Sequence, residues 1–475
     1  MTLRGHAMDL LPYNGWLTRL RAHAEQPGAA LRPLRTFFAR PVDGLAGLHL
    51  PELYEEPRRN TIDSTRSNAI RRTPVPLNAD LLERTFRHLT ATGYLPAADQ
   101  PVPSTTHLPA DAVRTALGSV RSVTPVGWGT SKTEVRHSII GELAAWRFGT
   151  AAGLSRHRVE MDSGQTRTVV AKAQVPDTAS LDIAQTVAGL CSDALGRAWT
   201  EHRHRSEVVG SAQRERGLYV VEQSALRDHS PALLGTAPGV LVLEDISDLP
   251  LLNRANDPTA WTPSDIQSAI DGIAQIHAMG LREPLAVDGL TARRTTEDLV
   301  DQESLWHALS EFALGRAFGR WAGPSGRARI ETLVSDVAAW HAPADALPRT
   351  LIHNDFSPRN AALRADGRLC AYDWELARMG LPQRDLAEFL CFTLAPDDTA
   401  SLAGMLAHHR HALQRASGQP IDIDDWHQGF ATALAELMVT RLAMYAMIDA
   451  FRPQPFLERV VRTWCALDRQ VHGHA

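Results

Sequence analysis

The chain has 475 residues, of which 44% are hydrophobic and 22% charged, and its formal net charge is -5. This is the composition of a globular protein long enough for two or three domains, and the acidic balance gives no overall reason to expect nucleic acid or an anionic membrane as a partner. Four cysteines, Cys191, Cys370, Cys391 and Cys465, lie far apart in no metal-binding spacing, which points to reduced thiols in a cytoplasm, and no segment reads as a signal peptide or a bilayer span.

Residues 1–116 are rich in Pro and Arg, with PRRNTIDSTRSNAIRRTPVP in the middle and LPAADQPVPSTTHLP near the end, and read as an accessory region closed by a Pro-rich linker. From residue 117 the pattern turns to strands. VRSVTPVG is followed by SRHRVEMDSGQTRTVVAKAQ, a hairpin around Asp162-Ser163-Gly164 with Lys172 on its second strand. A helix is expected around SAQRERGLYVVEQSAL, then a buried strand, GVLVLEDI. Beyond it the chain becomes mainly helical. In TPSDIQSAIDGIAQIHAMG, Thr262 is placed as N-cap and Pro263 at the first helical position, with Ile266, Ile270, Ile273 and Ile276 on one face. IDIDDWHQGFATALAELMVTRLAMYAMIDAF is a second long amphipathic helix, with Asp422, Asp424 and Asp425 at its start reading as capping groups.

The helical half is interrupted by RTLIHNDFSPRNAALRADGRLCAYDWELA, which reads as strand, polar loop, short strand, turn over 365–368 and strand. Such a hairpin sets the start of the loop beside the end of the last strand, so that Asp355, Asn360 and Asp373 converge. Two carboxylates and a carboxamide oxygen are hard ligands suited to Mg²⁺, whose remaining positions are usually filled by phosphates and water. The basic residues add a further signal. Lys132 and Lys172 are the only lysines among 49 Lys plus Arg. A lysine that persists under such a bias marks a place where a compact ammonium fits and a broad guanidinium does not.

HNDFSPRN, with DWE thirteen positions after Asn360, resembles the HxDxxxxN and D-x-D/E pair of the aminoglycoside phosphotransferase and choline kinase family, relatives of the protein kinases. GTAAGLSRHRV resembles the family's nucleotide loop, VVAKAQ its lysine strand, RERGLY its glutamate helix, VLEDI the entry to its hinge and IAQIHA its first C-lobe helix. The resemblance implies a two-lobed α/β, protein-kinase-like fold: a small N-lobe of antiparallel sheet plus helix over 117–245, and a larger helical C-lobe over 246–475. It makes Asp355 the catalytic carboxylate that orients and can deprotonate the acceptor hydroxyl, and Asn360 and Asp373 the metal ligands. Lys172 holds the phosphates and pairs with Glu215, although Glu201 and Glu207 stand in the same stretch. Gly149, Gly153 and Ser155 form the nucleotide loop, with GWGTSKT at 127–133 competing for that role, and Glu244 and Ile246 lie at the hinge. His353, Glu375 and Asp385 support the loop, whereas His277 reads as a satisfied core histidine. Asn354 stands where many members have glycine and Ser357 where histidine is common. The stretch around PDTASLDIAQTVAGL reads as an insertion between Lys172 and Glu215.

The implied activity is phosphorylation of a hydroxyl with ATP, or GTP as the other candidate donor, and Mg²⁺. The acceptor is a small molecule, such as an antibiotic, sugar or amino alcohol, or Ser/Thr of a biosynthetic precursor peptide. In the peptide reading the N-terminal region would contact the peptide or a partner enzyme. A catalytically silent nucleotide-binding scaffold is the alternative from another class, and it has no need of Lys172, Asp355, Asn360 and Asp373 together.

The lysine bias yields the first test. Lys172→Arg is expected to be nearly as damaging to MgATP-dependent turnover as Lys172→Ala, and Lys132→Arg close to neutral. An active Lys172→Arg enzyme would show that charge alone suffices at that position.

Overall fold

The computed structural model describes residues 110–127 and 153–473, apart from 255–256, 283–286, 288, 291–293 and 399–400, together with Thr18, Arg19 and Ala22. Most of the accessory region, Gly149 and Lys132 lie outside the described residues. The chain divides into two compact units, one of residues 1–108 with 138–153 and one of 109–137 with 154–475. The second carries the fold that follows.

Helix α1, Ala110–Leu117, packs against the first and fourth strands of a five-stranded sheet of order β1-β2-β3-β5-β4. The strands are β1 Val120–Val126, β2 Gly153–Met161, β3 Thr166–Ala173, β4 Leu233–Ala237 and β5 Val240–Glu244. The turn between β2 and β3 forms where Asp162-Ser163-Gly164 predicts it, with Gly164 at φ 84° and its N–H donating to the Met161 carbonyl at 2.8 Å. β3 runs antiparallel to β5 with Lys172 opposite Leu241. The expected insertion is a pair of helices, α2 Asp177–Cys191 and α3 Asp193–His202, followed by α4 Ser211–Val220.

The helical part begins with α5, Pro263–Arg282, whose start carries the predicted cap. The Thr262 hydroxyl accepts from the Asp265 N–H at 3.2 Å while Asp265 accepts from the Thr262 N–H at 3.0 Å. Ile266, Ile270, Ile273 and Ile276 are all buried. α5 lies so close to the short strands that a side chain at Gly280 would meet the Leu351 backbone nitrogen at 2.9 Å. α6 Glu303–Ala313 and α7 Gly319–Ser335 follow. The strands then form two antiparallel pairs: β6 Thr350–Ile352 with β9 Arg378–Gly380, and β7 Ala361–Leu363 with β8 Leu369–Ala371. α8 Gln383–Thr393, α9 Leu402–Ser417, α10 Ile423–Leu437, α11 Ala443–Phe451 and α12 Leu457–His472 complete it.

The last amphipathic stretch is not one uniform helix. A π turn over Met438–Leu442 separates α10 from α11. The Asp422 carboxylate caps α10 as expected, accepting from Asp424 and Asp425 N–H. Contrary to the sequence reading, Ile423–Phe451 is long and apolar enough by composition to cross a membrane, but 78% of its apolar window is buried inside the protein. It is a core helix, and the buried Glu436 and the neighbouring Arg441 are paired there. Glu436 accepts from Arg378 at 2.5 Å and Arg294 at 3.1 Å, while Glu207 accepts from Arg294 and Arg441, each at 2.8 Å. These five side chains tie the segment before α4 to β9 and α10.

Burial alone would raise the Glu436 carboxyl, but Arg378 and Arg294 reverse this and hold it at about 2. A depressed carboxyl contributes stability that is present in full above its ordinary 4.5 and is lost as the pH falls towards 2. Glu436→Gln is therefore expected to cost about 3–5 kcal/mol in urea unfolding at neutral pH, because it leaves buried guanidiniums uncompensated. The gap to the parent should narrow below pH 4.5. A variant as stable as the parent at pH 7 would show that the network does not hold these elements together.

Candidate functional site

Lys172 stands in a strand buried on both faces, with Val170 on its own face and Ala171 and Ala173 on the other, and its side chain is 13% exposed. An ammonium in that position requires compensation. It lies 2.8 Å from the Glu215 carboxylate, bonds Asp373 Oδ1, and is 3.4 Å from Glu375 Oε2. The geometry thus selects Glu215 from the three glutamates of that stretch. Glu207 belongs to the arginine network and Glu201 is exposed.

Carboxylate oxygens of Glu215, Asp373 and Glu375 lie within 4.8 Å of one another. Burial opposes ionisation of Asp373, yet the Lys172 ammonium outweighs it and holds this carboxyl below its ordinary value. Lys172 also pulls Glu375 down, but the adjacent Asp373 charge and burial prevail and leave it up at about 7. Three carboxyl groups around one ammonium present hard oxygens, the donor set that a divalent cation such as Mg²⁺ satisfies.

The loop after β6 supplies the other half. Asp385, fully buried in α8, accepts from the N–H of His353 at 2.7 Å and of Asn354 at 2.8 Å, and its Oδ2 accepts from His277 Nε2 at 3.0 Å. His277 is a satisfied core histidine, and its partner is the carboxylate that orders the loop. Asn354 sits at φ 62°, a left-handed conformation that glycine and asparagine adopt most readily, which accounts for asparagine at a position where glycine is common. His353 donates from Nε2 to the Tyr372 carbonyl at 2.9 Å and packs on Trp374, bracing the loop against the strand end.

Asp355 Oδ2 accepts from Asn360 Nδ2 at 2.7 Å. Its Oδ1 accepts from Arg359 Nη2 at 3.2 Å and lies 3.4 Å from the Tyr445 hydroxyl. The β7–β8 register pairs Ala361 with Ala371, and the Tyr372 N–H donates to the Asn360 carbonyl at 3.0 Å, which brings the Asn360 backbone beside the strand end that leads into Asp373. Among the described residues no side chain bonds Asn360 Oδ1, so this oxygen remains available to a metal. Asp373, at φ 69°, is itself left-handed, a strain of about 1–3 kcal/mol of the sort that collects at functional sites.

The nucleotide-loop assignment needs correction at Ser155. The gap between β1 and β2 is 127–152, and Ser155 lies beyond it, buried within β2, with its hydroxyl 2.9 Å from His157 Nε2 and 3.5 Å from the Ala171 carbonyl. It is a strand residue and not a loop donor. Gly153, at φ 85°, begins β2. The Glu244 carboxylate at the hinge is held by two 2.8 Å bonds from Arg364, and the Ile246 carbonyl accepts from Leu249 N–H at 3.1 Å. Sequence reasoning missed Arg214, whose Nε donates to the Glu375 carbonyl at 2.8 Å from inside α4. It also missed Arg359 and Tyr445. Arg359 stood within HNDFSPRN, four positions after Asp355, and that spacing was the available signal.

The profile of the phosphotransferase enzyme family matches residues 214–421, somewhat under half of the chain. No curated protein matches. Solved structures with a similar fold include choline kinase LicA from Streptococcus pneumoniae, 12% identical, covering 77% of this chain and 97% of its own with a TM-score of 0.42. Ethanolamine kinase from Plasmodium vivax is 10% identical, with coverages of 91% and 98% and a TM-score of 0.43. An aminoglycoside phosphotransferase from Alicyclobacillus acidocaldarius is 15% identical, with coverages of 80% and 100% and a TM-score of 0.38.

Replacing Asp385 tests the loop. Asp385→Asn puts a carboxamide where two backbone N–H groups and a histidine donate, and should destabilise the protein by about 1–3 kcal/mol. Amide hydrogen exchange at His353 and Asn354 is expected to lose its protection. Unchanged protection at both would remove Asp385 from the role of loop anchor.

Proposed function

We propose that this chain, a phosphotransferase with a hydroxyl acceptor, transfers the γ-phosphoryl group of ATP to the alcohol of a small molecule in a Mg²⁺-dependent reaction. Residues 117–245 act as N-lobe and 246–475 as C-lobe. The observation that carries this reading is the pairing of Lys172 with Glu215 and Asp373, with Asn360, which bonds Asp355, held by its carbonyl to the N–H of Tyr372, the residue before Asp373. Phosphoryl transfer needs little covalent help and much positioning and charge neutralisation, and these residues supply both.

Each group has a distinct part. Lys172 holds phosphate oxygens as a point charge, and Glu215 keeps it aimed. Asp355 accepts the hydrogen bond of the acceptor hydroxyl and takes its proton as the new bond forms. Asn360 Oδ1 and Asp373 would hold Mg²⁺, which neutralises the phosphate charge when bound. Glu375 and His353 keep the two segments in register, and Asp385 anchors the loop beneath them. The four cysteines are free thiols, which suits a cytoplasmic enzyme. The peptide-acceptor reading rests on the N-terminal region, which lies outside the described residues.

Two substitutions separate the halves of the site. Asp355→Asn should leave MgATP binding by calorimetry close to that of the parent while lowering turnover by roughly 10²–10⁴-fold, because its partner is the acceptor. Asp373→Ala should abolish productive MgATP binding. Full turnover in the first variant would strip Asp355 of its role, and parental MgATP binding in the second would do the same for Asp373.

A further inference from the structure

Beside Asp355 stands an arginine held among aromatic rings. Arg359 lies with its guanidinium carbon 4.9 Å from the ring centre of Tyr445, 5.7 Å from Phe456 and 5.9 Å from Phe392. The three rings come from α11, the start of α12 and α8, and they pack on one another, with Phe392 and Phe456 5.2 Å apart. Aromatic walls of this sort attract cations, and a quaternary or protonated amine is their usual guest. Here the chain's own guanidinium fills the space.

Arg359 is not used up by its surroundings. Both of its hydrogen bonds run through Nη2, to Asp355 Oδ1 and to the Tyr445 hydroxyl, and its Nε is buried with no partner among the described residues. Its side chain is 27% exposed, beside an Asp355 that is 15% exposed, so part of the Arg359 side chain is open to solvent next to Asp355. Asp355, at 3.2 Å, is its ion-pair partner. Arg441 donates to the Asn354 carbonyl directly behind Asp355. Glu388, paired with Arg384, is pushed up to about 7 by burial, so that it carries only part of a negative charge at neutral pH.

We infer that the acceptor is an anionic alcohol, a hydroxyl compound bearing a carboxylate or phosphate that binds Arg359, and that the guanidinium inside the aromatic cage turns cationic amino alcohols away. The inference rests on the proposal that Asp355 faces the acceptor. In the step, the acceptor oxygen forms its bond to the γ-phosphorus as the bond to the β,γ-bridging oxygen of ATP breaks. ADP leaves with that electron pair, and the hydroxyl proton passes to Asp355. Arg359 fixes the acceptor's oxyanion and so sets which hydroxyl meets Asp355, which makes it a specificity-determining residue.

The full chain, incubated with MgATP, is assayed for ADP release with three sets of acceptors: glycerate and glycerol 3-phosphate, then glycerol, then choline and ethanolamine. The anionic set should accelerate release at least about tenfold and the cationic set should not. Comparison of glycerate with glycerol 3-phosphate tells carboxylate from phosphate recognition. Arg359→Gln should raise the KM of the anionic acceptor by about tenfold or more with the KM of MgATP unchanged, Arg359→Lys should recover part of the loss, and Arg359→Ala, which empties the cage, should let choline accelerate release. Acceleration of the parent by choline or ethanolamine, no acceleration by either anionic compound, or an anionic KM that ignores Arg359→Gln would each overturn the inference. MgATP binding measured by calorimetry keeps the two levels apart. Binding with the wrong acceptor preference defeats this inference alone, whereas absence of binding defeats the phosphotransferase reading and the inference with it.

Discussion

The Asp385 carboxylate is the interaction on which the rest of the site depends. It is fully buried, and burial alone would favour its neutral form, but His277 and the backbone N–H of His353 hold it below its ordinary value. Two consecutive backbone N–H groups pointing at one anion require a sharp turn, and Asn354 makes that turn by entering the left-handed region. The turn in turn positions Asp355. Because α5 supplies His277 and α8 supplies Asp385, packing of α5 against the short strands is what sets the position of the Asp355 carboxylate. The close approach at Gly280 has the same consequence, since any side chain there would push α5 away from β6.

Around this anchor the charges meet in two groups. Glu215, Asp373 and Glu375 gather around Lys172, whereas Arg359 and Arg441 flank the Asp355 loop. The first grouping suits a metal with phosphates, and the second suits an acceptor of opposite charge. Neither group is cheap to bury. Desolvating several ions is repaid only where hydrogen bonds satisfy the remaining donors and acceptors, and the Glu207–Glu436 network does most of this with bonds of 2.5–3.1 Å from three arginines, the Arg378 Nε alone of the network lying buried without a hydrogen-bond partner among the described residues.

The π turn over Met438–Leu442 connects that network to the loop. An extra residue in the turn rotates the helix beyond it, and π turns of this kind recur at functional sites. Arg441 lies within the turn and reaches both Glu207 and the Asn354 carbonyl, and Tyr445 follows in α11, next to Arg359. A uniform helix from Ile423 to Phe451, as the sequence reading has it, would aim these side chains elsewhere.

Local information was sufficient where the signal is local. The turn at Asp162-Ser163-Gly164, the Thr262 cap, the Asp422 cap and the hairpin after HNDFSPRN rest on residues a few positions apart, and all four form as read. The approach of Asn360 to Tyr372, the residue before Asp373, could be read for the same reason, because a hairpin turns a short separation in sequence into a contact. Choices between distant candidates could not be made in this way. Glu201, Glu207 and Glu215 are alike in type and neighbourhood, and only the tertiary pairing of α4 with Lys172 on β3 selects Glu215. Ser155 was misplaced because the end of β1 and the start of β2 are decided by pairing between strands, which assigns it to the buried face. The sequence by itself determined the types of element, the order of the chemical groups and the catalytic loop, since each is encoded in periodicity, caps and turns. Tertiary structure decided which charges meet: the ring cage around Arg359 draws on α8, α11 and the start of α12, and no local pattern can bring together side chains from segments that far apart in the chain.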